Sequence, residues 1–139
     1  MDEVKLEEAF GRIERKKDDI IAVLDHIWEH PELGYKEWNT HKYLKKKYED
    51  LGYIVHEVGG IPGFYIDIDT GKEGPTVAVF SEMDALHIPE HPESDKATGA
   101  VHACGHHTQL AATYGTAIGL KDKDLLSKLS GKIRLFAVP

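Results

Sequence analysis

The sequence predicts an α/β domain with a mixed sheet, and three observations carry that prediction. Apolar residues recur at helical spacing as far as about residue 51. The period then shortens to that of strands separated by glycine-rich turns, and a further helix and a last strand follow.

Taken in order, Phe10, Ile13, Ile20, Leu24 and Ile27 predict a helix from about Val4 to Trp28. Arg12, Arg15, Lys16, Lys17, Asp18 and Asp19 supply its solvated face. Pro31 stops it, because the residue before a proline disfavours the α region. His30-Pro31-Glu32-Leu33-Gly34-Tyr35 reads as a connector into a second helix, Glu37 to Leu51, with Thr40, Leu44, Tyr48 and Leu51 on one face and Gly52 as its stop. Tyr53 to Val58 reads as a strand, Gly59 to Gly63 as a turn, and Phe64 to Asp69 as a strand alternating apolar and acidic residues. The short stretch Thr70 to Pro75 predicts a hairpin connection. Thr76 to Phe80, apolar after its threonine, predicts a strand buried on both faces. Ser81 to Leu86 leave its C-terminal end, the edge at which open α/β sheets bind ligands. His87 to Gly99, rich in proline and acidic residues, reads as an exposed loop. A third helix is expected from about Thr108, with Leu110, Tyr114, Ala117 and Ile118 on one face. Asp122 to Leu129 adds a polar helical turn or two, and Ser130-Gly131 turns the chain into a strand from Lys132 to Val138.

The 139 residues fit one domain, and 41% hydrophobic with 29% charged residues describes a globular chain. A net charge of −7 argues against nucleic-acid or anionic-membrane partners. One cysteine allows no internal disulfide and suits a reducing, cytoplasmic compartment. The acidic start Met1-Asp2-Glu3 lacks the pattern of a signal peptide, and no apolar run approaches a membrane span.

Chemistry concentrates in Val101-His102-Ala103-Cys104-Gly105-His106-His107, which holds the single cysteine and three of the nine histidines. If this stretch is extended, His102, Cys104 and His106 share one side and His107 faces the other. Thiolate and imidazole are preferred ligands of zinc and similar ions, though a catalytic site needs more donors than these. Cys104 is therefore a candidate metal ligand, with an inert buried thiol or a histidine-activated nucleophile as alternatives. Glu82 and Asp84 leave their strand two residues apart. A carboxylate there binds metal, orients a ligand imidazole, or is merely solvated, and the nearby histidines favour Asp84 as a site residue. His26, His30, His41, His56, His87 and His91 read as surface or capping residues.

Four ordered segments resemble one family. His30-Pro31-Glu32-Leu33-Gly34-Tyr35-Lys36-Glu37, Glu82-Met83-Asp84-Ala85-Leu86, Val101 to His106, and Leu129 to Phe136 resemble motifs of the amidohydrolase branch of the aminoacylase/carboxypeptidase metallopeptidase superfamily. That branch includes hippurate, auxin-conjugate and aminobenzoyl-glutamate hydrolases. The resemblance implies a three-layer α/β/α zinc-peptidase-like catalytic domain holding two zinc, manganese or cobalt ions. It also implies cleavage of the amide bond of N-acyl or N-aroyl amino acids by metal-activated water. By motif position, Cys104 and His106 are its metal ligands and Asp84 its orienting, catalytic carboxylate. His102 is not a ligand in the family pattern.

The family usually has Asp at the positions of Glu82 and His107, His at that of Gln109 and Pro at that of His87. Its last matching strand runs through a proline into a paired glutamate, the general base and a further ligand. Residues 1–139 are thus expected to be the N-terminal portion of the catalytic domain, without its dimerisation domain. On that expectation the chain is inactive alone and its parent is a homo-oligomer. A metal-binding or interaction module without catalysis and a cysteine-dependent hydrolase using Cys104 are the alternatives.

Overall fold

The computed structural model of the chain describes residues 3–139, with side chains from Leu6 onward. The start at Met1-Asp2, read above for the absence of a signal peptide, lies outside the described residues.

The expected first helix is two helices, α1 (Glu3–Arg15) and α2 (Lys17–Glu29), separated at Lys16, whose φ of −109° and ψ of 12° leave the helical region. The break lets both helices reach α4 (His106–Gly119), where small residues admit them. A Cβ on Gly119 would lie 3.0 Å from Ile13 Cδ1, and one on Gly115 would lie 3.3 Å from Ile20 Cδ1.

Helix α3 (Trp38–Asp50) follows the connector, and its start is satisfied by Glu32. That carboxylate accepts hydrogen bonds from the backbone N–H of Asn39 (3.2 Å) and Thr40 (2.8 Å), and from the Asn39 amide and Thr40 hydroxyl. A negative group on exposed first-turn donors favours the helix both by hydrogen bonding and by its dipole. Thr40, Leu44 and Tyr48 are buried, as the spacing predicts. His41 is buried as well, not on the surface. Its Nδ1 accepts from the Gly63 N–H (3.0 Å), so its Nε2 donates to Glu57 (3.0 Å).

Strands β1 (Val55–Glu57), β2 (Phe64–Asp69), β3 (Thr76–Glu82) and β6 (Lys132–Val138) form a mixed sheet in the order β1-β2-β6-β3. A separate two-stranded ladder pairs β4 (Leu86–His87) with β5 (Ala100–Val101), closing the base of the acidic loop. A short helix, α5 (Lys123–Leu126), is capped by the Asp122 carboxylate on the Leu125 N–H at 2.9 Å.

Two expectations about β3 are corrected. Thr70 to Pro75 is no hairpin connection, because β6 lies between β2 and β3, antiparallel to the first and parallel to the second. Nor is β3 buried on both faces. It is the outer strand, and Val77 and Phe80 are 56% and 61% exposed. An apolar run reports hydrophobicity and not the number of neighbours a strand has.

Phe64, Ile66 and Ile68 of β2 and Leu135 and Ala137 of β6 form one face of the core with Val23, Ile27, Leu44, Tyr48, Leu110 and Tyr114 from α2, α3 and α4. Each fully buried large side chain contributes about 1.5–3 kcal/mol. The other face carries an aromatic row in register across the sheet, His56–Tyr65–Phe136–Phe80, with centroids 4.8, 5.5 and 4.5 Å apart. The described residues thus build a helical layer and a sheet, two of the three layers expected.

Candidate metal centre

The centre lies where β3 ends. Met83 donates its N–H to the Val138 carbonyl (2.8 Å) and Ala85 to that of Glu32 (2.8 Å), while Leu33 bridges Ala85 in parallel. The His30–Glu37 segment is therefore laced to Glu82–Leu86, and a Cβ on Gly34 would stand 3.8 Å from that of Asp84.

The 102–107 stretch is not extended. Gly105 adopts φ +96°, which a side chain would disfavour, and this residue ends the loop and opens α4. His106 thereby becomes the first residue of α4, two residues earlier than the helix expected from about Thr108. His107, expected on the opposite side from His102, is buried beside it with ring centroids 5.6 Å apart, and also beside Trp28 at 5.0 Å.

Of the three predicted site residues, the fold joins two. His106 is buried, and its Nδ1 lies 2.9 Å from the Asp84 carbonyl oxygen and 2.8 Å from Asp84 Oδ1. Both neighbours only accept, so Nδ1 carries the hydrogen and, in the neutral ring, the lone pair sits on Nε2. A carboxylate behind a ligand imidazole is the usual support of a metal-binding histidine. Cys104 lies exposed on the turn. Both His106 nitrogens face carboxylates, the second being Glu82 Oε2, 3.1 Å from Nε2, so neither is turned toward the thiol as a nucleophile's base. Among the described residues no three His, Cys, Asp or Glu side chains converge to enclose an ion. Thiolate, imidazole and carboxylate are donor types that fit a divalent metal.

Three further side chains line the surroundings of the Asp84–His106 pair, of which only Glu37 had no place near the site in the sequence reading. Gln109 accepts the Glu82 N–H through Oε1 at 3.3 Å, tying α4 to the end of β3. Glu37 is wholly buried; one oxygen accepts from the Tyr35 N–H (3.0 Å), the other has no partner, and burial raises its carboxyl above the usual range. His102 is buried with both ring nitrogens unpartnered, and burial pushes its pKa down to about 4, which keeps it neutral. The histidine-rich stretch signalled His102 and the departure at position 109 signalled Gln109, while nothing local signalled the burial of Glu37.

No family model matches the chain. Thermostable carboxypeptidase 1 of Saccharolobus solfataricus is 41% identical over 128 residues, covering 88% of this chain and 32% of that protein. N-acetyl-L-cysteine deacetylase of Bacillus subtilis is 35% identical over 123 residues, covering 86% of this chain and 29% of that protein. The crystal structure of the Bacillus subtilis YXEP protein, described as a dinuclear metal binding peptidase from the M20 family, superposes with a TM-score of 0.74. It is 29% identical, covering 86% of this chain and 34% of that one. The chain spans about a third of the length of the relatives it matches. Sequence relatives, superposed fold and the four ordered motifs agree: over most of its length this chain is similar to one part of the carboxypeptidase, deacetylase and M20-family peptidase hydrolases.

Proposed function

We propose that this chain supplies metal-holding residues to a metal-dependent amidohydrolase that cleaves the amide bond of N-acyl amino acids. The contact between Asp84 Oδ1 and His106 Nδ1 carries the reading, because it puts the ring hydrogen on Nδ1 and leaves the Nε2 lone pair to a ligand. Cys104 and His106 hold metal, and Asp84 fixes the imidazole's tautomer and direction. Two divalent ions, of zinc, manganese or cobalt, would polarise the amide carbonyl and activate the attacking water. The relatives' names, a carboxypeptidase and a deacetylase of N-acetyl-L-cysteine, support an amide substrate next to an amino acid.

On this reading residues 1–139 are the metal-holding portion of a catalytic domain whose dimerisation domain lies outside them, and the whole protein is a homo-oligomer. Among the described residues no helix is long and apolar enough to cross a membrane. The single unpaired cysteine supports a cytoplasmic location.

The test is elemental analysis and cobalt substitution of the purified chain and of its Cys104→Ala and His106→Ala variants. Both substitutions are expected to lower bound metal by more than the roughly 10–100-fold of changes behind the ligands. Full metal occupancy in Cys104→Ala would overturn the assignment. A protein extended through the remaining family motifs is expected to hydrolyse N-acyl amino acids in a chelator-sensitive way, and the 139-residue chain alone is not.

A further inference from the structure

The second nitrogen of His106 poses an electrostatic problem. Its Nδ1 donates to Asp84, so in the neutral ring Nε2 is an acceptor, yet Glu82 Oε2, also an acceptor, stands 3.1 Å away. Two lone pairs at that separation repel unless a positive charge lies between them. Two donors bound to one zinc at its usual bond lengths, at angles of about 90–110°, stand roughly 2.9–3.4 Å apart. The observed separation falls within that range.

Glu82 is also held in place from the other side. Its backbone N–H donates to Gln109 Oε1, so two positions at which the chain departs from the family pattern, 82 and 109, contact each other. The side chain of Glu82 is half exposed, which leaves room for an ion and its water.

Resting on the metal reading above, we propose that Glu82 is a further metal ligand in this chain, sharing an ion with His106 through Oε2. The glutamate at this position thus extends the coordinating set beyond Cys104 and His106.

The experiment titrates cobalt(II) into the purified chain against a competing chelator, recording the visible spectrum. Wild type is compared with Glu82→Gln and with Glu90→Gln, which removes the same charge from the exposed loop. Glu82→Gln is expected to weaken cobalt binding at least about tenfold and to change the ligand-field bands, with Glu90→Gln matching wild type. Equal or tighter binding by Glu82→Gln, with the thiolate-to-cobalt band of Cys104 intact, overturns the role of Glu82 alone; the carboxylate then merely pairs with a protonated His106. A wild-type chain that takes up no cobalt overturns the metal reading itself, and Glu82's role with it. Equal loss in Glu82→Gln and Glu90→Gln assigns the effect to net charge and overturns the proposal.

Discussion

Asp84 is the residue whose substitution best separates architecture from chemistry. Its side chain is about a quarter exposed, and its one close side-chain partner is His106. Asp84→Asn keeps an acceptor for Nδ1 but removes the charge that stabilises a metal-bound imidazole. The expected outcome is an unchanged melting temperature with metal affinity lower by about 10-fold or more, read by thermal melts and chelator competition. Wild-type affinity in that variant would make Asp84 a solvated carboxylate and nothing further. The nearness of Asp84 to His106 was legible in the sequence, because both lie in motifs that follow one another in a fixed order. The burial of His107 was not. A two-residue period assumes an extended backbone, whereas the positive φ of Gly105 ends the loop and puts the next two histidines in the first turn of α4. Glu37 escaped for a related reason, since a carboxylate beside Lys36 looks solvated until the connector folds over it.

Among the elements, the turns at the far end of β3 and β6 control register. Gly131 donates its N–H to the Lys72 carbonyl (3.0 Å) and accepts the Thr70 hydroxyl (2.7 Å), and Lys132 donates to Pro75 (3.0 Å). Gly131 has φ +83°, and a Cβ there would stand 2.1 Å from the Pro75 carbonyl oxygen. Gly131→Ala therefore cannot be absorbed by side-chain motion, and a loss of about 3 kcal/mol or more is expected in urea unfolding. A shift below about 1 kcal/mol would mean that the two turns separate freely. Helix α3 and strands β2 and β6 were read from the sequence within a residue of their limits, because their periods are local. Strand order was not legible. Nothing near Thr70–Pro75 reveals that a strand some sixty residues later enters between its neighbours.

At the scale of the molecule, one sheet face is covered by helices and the other is not. The uncovered face presents the aromatic row ending in Phe80, and beside it runs the unpaired edge of β3. Unpaired strand edges and contiguous apolar surface both promote association. The 139-residue chain is expected to self-associate with rising concentration in sedimentation experiments, and Phe80→Lys to shift it toward monomer. Concentration-independent monomer in the wild-type chain would show that neither feature drives contact. The placement of β6 has a further consequence, for the order of assembly. A ribosome delivers β1, β2 and β3 first, yet the strand that joins them is made after α4 and α5. Until Lys132 to Val138 emerge, β2 lacks one of its two neighbours and β3 lacks the only one it has in this sheet. Pairing across such long sequence separations is slow, and exposed intermediates aggregate. The nascent chain thus holds its sheet as unjoined pieces, an interval in which a chaperone would find its substrate.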